Sequence, residues 1–471
     1  MKLKKLLCLL FACMLLLALA AGCGDGDSTE DPGKTDPGKN DPGKTDTGDP
    51  SGGEYRDLGG IDVTIGIWWT PDTSAPTTPY GMAREDYLNS IQDNYNFTIK
   101  QVKTSEWGNH DTIAQTSILS ANPSASIITL DSGKTTALLK NDLFYNIATL
   151  PSFDPNEEIW NKPVVDSMTF DEKILGFAVG YEQRNCIYFN KNILEEAGID
   201  PEEPYNMQAA GTWTWSNFMD MCDKISRSTD GTGIYNRYAI CAFHQDTLAS
   251  AVLSNGAKFV DRDENGRYFN ASGTQEFLDA ADFVRSFATR GHVHPQPEGT
   301  EWNWHIAVFN EGRSAFKITE EYAKSELKDV SFNWGMVFFP KGPNMDSYVS
   351  VYKENIQFIP SIFSAELADD IIFAYSLYNQ KVPGFDGDDD WKLGARSAFN
   401  DLRAVDDTLT RMRDNDNNVL RLDPYVAGFS VGKVAYNIWN DEKTPAQLIE
   451  EAKSEWDIMV MDANALVFGK E

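Results

Sequence analysis

Val63-Thr64-Ile65-Gly66-Ile67-Trp68-Trp69, running into Thr70-Pro71-Asp72, is the stretch on which the fold turns. Its apolar residues alternate, then run together, and stop at a turn-forming proline and aspartate. That is the pattern of a strand that enters a core and leaves it by a loop. Moving outward, a polar helix is expected around Arg84 to Tyr95 and a second strand over Phe97 to Val102. Ile127-Ile128-Thr129-Leu130 is a third strand, short and apolar, ending at Asp131-Ser132-Gly133. Strands alternating with helices predict the α/β class, with parallel sheets covered on both faces. In such sheets ligands sit beyond the carboxyl ends of the strands. The loops after Trp69 and after Leu130 therefore fall where a binding function belongs.

Later helices carry clearer start signals. Thr214 caps a segment whose apolar positions Phe218, Met221, Cys222 and Ile225 share one face. Ser272 and Gln275 form a capping box ahead of Phe277, Ala281, Val284 and Phe287. Thr444, Pro445 and Gln447 combine cap, first-turn proline and box partner for a helix that turns Leu448, Ala452, Trp456 and Met459 inward.

The first residues read as an export signal. Lys2, Lys4 and Lys5 precede the apolar run Leu6 to Ala21, too short to span comfortably and without a second charged flank. The run ends Leu19-Ala20-Ala21-Gly22-Cys23, which resembles a bacterial lipobox, with Ala20 where leucine is commoner. That resemblance implies removal of residues 1–22, diacylglycerol (and palmitate) on Cys23, and a lipoprotein held on the outer face of the cell membrane. Residues 23–58 follow as linker: Asp31-Pro32-Gly33-Lys34 recurs at Asp36 to Lys39 and at Asp41 to Lys44. A segment so poor in apolar side chains is expected to stay disordered. About 35 such residues reach roughly 30 Å.

Loss of Lys2, Lys4 and Lys5 with the signal takes the net charge from −30 to −33. A field of that sign opposes nucleic acid and polyanionic cargo and suits a neutral or cationic ligand. Once Cys23 is lipidated, Cys186, Cys222 and Cys241 remain in the body, an odd number without metal spacing. Buried thiols are expected, with one Cys222–Cys241 bridge the alternative. Asp261, Asp263, Asn265 and Gly266 imitate the front of a calcium loop, but the twelfth position is Ser272 and a hairpin turn is expected. Asp414, Asp416, Asn418 and Asp423 are read as a solvated loop, and His292 with His294 lacks a third zinc ligand nearby. Neither phosphate loop nor nucleophile elbow occurs, so no cofactor, metal or catalytic residue is expected. The length beyond Tyr55 suits two domains of ordinary size.

Six pieces in fixed order carry a family likeness. Leu130-Asp131-Ser132-Gly133 precedes a helix and Leu143-Phe144-Tyr145-Asn146-Ile147. Gly176-Phe177-Ala178-Val179-Gly180 is followed by Ile187-Tyr188-Phe189-Asn190-Lys191-Asn192-Ile193-Leu194-Glu195-Glu196-Ala197-Gly198-Ile199, the strongest piece. Then come Thr214-Trp215-Ser216-Asn217-Phe218, Asp230-Gly231-Thr232-Gly233, Asn265 to Asn270, and Phe309-Asn310-Glu311-Gly312-Arg313-Ser314-Ala315-Phe316. Together they resemble the extracellular solute-binding proteins of ABC transporters, in the carbohydrate-binding branch that includes maltose-binding protein. The chain departs from that pattern at Ile318-Thr319-Glu320-Glu321-Tyr322, where the family often has glycine and tryptophan, and over residues 384–420.

The resemblance implies a two-lobed periplasmic-binding-protein type II (Venus-flytrap) fold, its lobes joined by crossing hinge strands and closing on ligand. Residues 59–180 and 338–383 would form the N-lobe, residues 181–337 and most of 384–471 the C-lobe. Crossings would lie near Gly180 to Arg184 and near Met336 to Pro340. The implied partners are a carbohydrate and the transmembrane subunits of an ABC permease, with the receptor itself a monomer. A sugar offers apolar C–H faces and hydroxyl rims, so a binder needs aromatic plates and carboxylates or amides. Trp68, Trp69, Trp302 and Trp304 supply the plates, one of each pair expected to face the cleft. Asp131, Ser132, Tyr181, Glu182, Glu320 and Tyr322 supply the polar contacts. The alternatives are a surface glycoside hydrolase, which uses a carboxylate pair about 5–9 Å apart, and a receptor for a non-sugar solute.

Overall fold

The computed structural model describes residues 56–468, apart from 171, 181, 302, 328, 353–354, 388 and 414–417. The expected signal, Cys23, nearly all of the linker, Tyr181, Trp302, Asp414 and Asp416 lie outside the described residues. No described helix is long and apolar enough to cross a membrane.

Ten strands position the site: β1 (Ile61–Ile67), β2 (Phe97–Lys103), β3 (Ile127–Asp131), β4 (Cys186–Asn190), β5 (Tyr238–Ala242), β6 (Ser314–Thr319), β7 (Trp334–Phe338), β8 (Ser350–Tyr352), β9 (Asn355–Phe358) and β10 (Asn418–Leu420). One sheet has the order β9-β3-β1-β2, with β1 parallel to β2 and to β3 and with β9 antiparallel at the edge. The other has the order β7-β4-β6-β5, with β6 parallel to β5 and antiparallel to β4. Both sheets are covered on two faces, as the apolar strands require. Ile127 packs with Val63, Ile65 and the helix Ala365–Tyr378, while Ile128 and Leu130 pack with Ala114 and Ile118 of the helix His110–Leu119. Every residue of β4, β6 and β7 is buried. Gly66 is required where it stands, since a Cβ there would meet Cβ of Ala125 at 2.8 Å.

The chain leaves the first lobe at Gly180, whose φ of +71° favours glycine, and crosses through Gln183 to Asn185. The return passes beside it. Arg184 N donates to Val351 O at 2.7 Å, and Val351 N donates to Asn185 Oδ1 at 2.7 Å. A third pass lies alongside, with β10 parallel to β8 and Arg421 N donating to Tyr352 O at 3.1 Å. The return crossing therefore falls at 349–352, after the Met336–Pro340 stretch where the resemblance implied it. Trp334 to Phe338 is wholly apolar because it is a fully buried strand of the second sheet. The true crossing carries Ser350, whose buried hydroxyl bonds to Gln183 Oε1.

The helix starts at Thr214 and Thr444 are as expected. Thr214 accepts from Asn217 N, and Thr444 N donates to Gln447 Oε1 at 3.2 Å while Gln447 N donates to Thr444 Oγ1 at 3.4 Å. The helix Gln275–Thr289 is capped by Thr274 and not by Ser272, whose hydroxyl donates to Asn270 Oδ1 at 2.6 Å. Val260–Arg262 and Tyr268–Asn270 form the expected hairpin, with Gly266 at φ +76° in its turn. Cys186, Cys222 and Cys241 are free and buried, so the Cys222–Cys241 bridge is not made.

Candidate ligand-binding cleft

β1 delivers Trp68 and Trp69 at its carboxyl end. Their ring centroids lie 5.0 Å apart at right angles, and the Trp68 edge also meets His110 at 5.4 Å. Trp69 is 39% exposed. β3 delivers Asp131 and Ser132 at the same edge. Asp131 Oδ1 accepts from Gly133 N at 2.9 Å and caps the short turn Ser132–Lys134. The hydroxyls of Thr129 and Ser132 are buried without a hydrogen-bond partner. A buried donor left unpaired costs about 1–3 kcal/mol, which a polar ligand or water relieves.

The crossing and the end of β6 supply the charged part of the cleft. Arg184 lies between two acids, with Glu182 at 2.8 Å and Glu320 at 2.7 Å, and its guanidinium stands 5.6 Å from the Tyr322 ring. Burial pushes the Glu182 carboxyl above the ordinary range, Arg184 pulls it back, and Glu320 and Glu321 add to the rise. Burial also raises the Tyr322 phenol, with Glu320 adding to it. Nearby, buried Arg421 is gripped by both oxygens of Asp423, at 3.1 and 2.5 Å.

A cavity of about 360 Å³ joins these elements, lined by Trp69, Thr129, Ala178, Val179, Gly180, Glu182, Asn355, Gln357 and Arg413. Of the residues singled out from sequence, it brings together Trp69 and Glu182. Trp68 backs Trp69, Asp131 and Ser132 follow Thr129 on β3, and Glu320 and Tyr322 reach Glu182 through Arg184. Trp304 is placed differently. It opens the helix Trp304–Asn310, is buried, and packs against His294 and His305 within the second lobe's core. One tryptophan of the Trp302/Trp304 pair is expected from sequence to face the cleft, but a helix begins at Trp304 and turns that indole inward.

Sequence reasoning missed Thr129, Asn355, Gln357 and Arg413. The register of β9 on β3 sets Asn355 opposite Asp131 and Gln357 opposite Thr129, a pairing across more than two hundred residues. Arg413 comes from the unfamiliar stretch 384–420 and lies 4.3 Å over the Trp391 ring. The arrangement offers an aromatic plate, a carboxylate, two amides, a hydroxyl and a guanidinium around one space. That donor and acceptor set suits a ligand rich in hydroxyls.

The family model of bacterial extracellular solute-binding proteins matches residues 87–356. Among solved structures, the chain is similar to the cyclic α-maltosyl-1,6-maltose-binding protein of Arthrobacter globiformis at TM-score 0.62 and 15% identity, covering 86% of this chain and 100% of that one. It is similar to an ABC substrate-binding protein of Listeria monocytogenes in complex with cycloalternan at TM-score 0.58 and 15% identity, covering 85% and 98%. It is also similar to UgpB of Mycobacterium tuberculosis in complex with glycerophosphocholine at TM-score 0.59 and 12% identity, covering 85% and 98%. These likenesses show the two-lobed α/β fold with crossing strands. A comparison by sequence finds no match among curated proteins.

Proposed function

The chain belongs to the bacterial extracellular solute-binding protein family, and from that premise we propose that it is the carbohydrate receptor of an ABC importer. It captures a mono- or oligosaccharide between its lobes, closes by hinge motion, and delivers the sugar to the permease. The observation that carries this reading is the cavity on which Trp69, Glu182, Gln357 and Arg413 converge at the carboxyl edge of the first sheet. A plate for a sugar's apolar face stands there beside acceptors and donors for its hydroxyls. Two of the similar structures, those from Arthrobacter and Listeria, are described with saccharides, which supports the same class of ligand.

The site argues for binding without turnover. The two acids nearest the crossing, Glu182 and Glu320, both grip Arg184, so neither is placed as the free acid or nucleophile of a hydrolase. The receptor acts as a monomer outside the cell, tethered through acylated Cys23 and the repeat linker. Calorimetry against neutral oligosaccharides tests the ligand class, and product analysis of the same mixtures tests turnover. Tight binding with intact saccharide is expected, and cleavage would overturn the receptor reading. Mass spectrometry of the purified lipoprotein tests the anchor, which a Cys23→Ser variant should lose to the medium.

A further inference from the structure

We propose that Trp107 is an outer stacking plate of this cleft, one that reads the length of a bound saccharide; the inference rests on the carbohydrate reading above. Trp107 opens the short turn Trp107–Asn109 in the loop after β2. That loop leaves the same carboxyl edge at which β1 releases Trp68 and Trp69 and β3 releases Asp131. The indole is 53% exposed, more than any other tryptophan among the described residues. Core packing therefore does not account for it.

An exposed indole on a surface loop ordinarily moves among rotamers, and ordering it on binding weakens the gain. Here the loop backbone is tied down and the ring has one neighbour against it. Lys134, in the turn after β3, donates to Trp107 O at 2.5 Å and to Gly108 O at 3.3 Å, and it pairs with Asp111 at 2.9 Å. Its ammonium sits 4.4 Å from the Trp107 ring centroid. In the sheet β1 lies between β3 and β2, so this bridge spans the end of β1. His110, three residues on, takes the edge of Trp68. His110, Trp68 and Trp69 thus form one aromatic run to the cavity, and Trp107 stands in the loop just ahead of His110. With the ammonium against the ring, the exposed part of the indole is held ready for a second apolar surface. On this proposal a short saccharide seated at Trp69 leaves Trp107 untouched, and a longer one reaches it.

Calorimetry of native protein, Trp107→Ala and Trp107→Phe against two ladders, α-1,4-glucans and β-1,4-mannans of two to six units, tests this. On the ladder that the native protein binds, affinity is expected to rise with length. Trp107→Ala should match native on the shortest ligand bound and fall about tenfold behind on the longest, the scale of one aromatic contact, while Trp107→Phe keeps most of the gain. Lys134→Ala, which frees the loop, should weaken long ligands selectively in the same way. An equal loss at every length, or no loss at any length, overturns the proposal with the carbohydrate reading intact. Native protein that binds no member of either ladder overturns the outer plate together with the assignment of these sugars.

Discussion

Arg184→Met tests whether the cleft is held by a buried charge cluster. The Arg184 side chain is 11% exposed and binds Glu182 at 2.8 Å and Glu320 at 2.7 Å. Methionine keeps the length of the stem and deletes the charge, leaving two carboxylates on a site largely closed to water, with Lys324 still a cation felt by Glu182. Breaking a buried pair by removing one partner costs about 3–5 kcal/mol. Glu182 keeps 31% of its side chain in water and recovers part of its hydration, so a loss of about 2–3 kcal/mol is expected. The pH dependence comes from Glu182, already raised above the ordinary value of 4.5 by burial. Without Arg184 it rises further. A carboxyl raised in the folded state binds more protons folded than unfolded between those two values, so stability falls as pH rises through that window and returns as pH drops. Denaturant titrations near pH 8 and near pH 5 should therefore give the larger loss at the higher pH, and adding Glu320→Gln should restore part of it. An equal loss at both pH values, or one below about 0.5 kcal/mol, is within the range of an ordinary surface substitution and would refute the reasoning.

Trp69→Ala should weaken saccharide binding by about 1–3 kcal/mol, the scale of a buried aromatic contact, as read by calorimetry; unchanged affinity would remove the β1 loop from the site. Cys186, Cys222 and Cys241 should resist a thiol-reactive dye at pH 8 and react only in denaturant, since burial suppresses their ionisation and pushes Cys241 up to about 12. Thr444→Ala should lower stability by about 1 kcal/mol and speed amide exchange in the first turn of the helix Pro445–Phe468 alone.

The elements were legible where local chemistry decides them. Val63 to Ile67 and Ile127 to Leu130 are strands because their apolar runs are bounded by turn residues. Thr214 and Thr444 begin helices because the side chain can take an orphan N–H. Errors arose where two local candidates competed. Ser272 and Thr274 both precede Gln275, and Asn270 takes the Ser272 hydroxyl, leaving Thr274 to cap. The resemblance implied a crossing near Met336 to Pro340, but Trp334–Phe338 pairs within the second sheet and the chain returns beside Arg184 and Asn185 only at Val351. What single-strand reading does not contain is register. Asn355 and Gln357 look like surface amides until β9 is laid on β3, and Arg413 has no signal at all before the chain returns to the cleft.

The family likeness and the charged wall of the site occupy largely different residues, for a physical reason, although Ala178, Val179 and Gly180 of one matching piece also line the cavity. The strongest matching piece, Ile187 to Ile199, contributes Ile187, Tyr188, Phe189, Ile193 and Leu194 to the core, and Phe309 and Phe316 are likewise buried. Close packing constrains such positions whatever the ligand, because a change of even one methylene is felt. Glu320 and Tyr322 fall in a stretch that departs from the pattern, and Arg413 falls in another. Those side chains meet the charged wall of the cleft, Glu320 and Tyr322 through Arg184 and Arg413 at the cavity itself. Solved structures at 12–15% identity that share the fold are described with cyclic saccharides in two cases and with glycerophosphocholine in a third. Such a spread arises when the core is retained and the wall replaced. The ligand of this chain is therefore to be sought by varying Trp69, Trp107, Glu182 and Arg413, and not by transfer from any one of those structures.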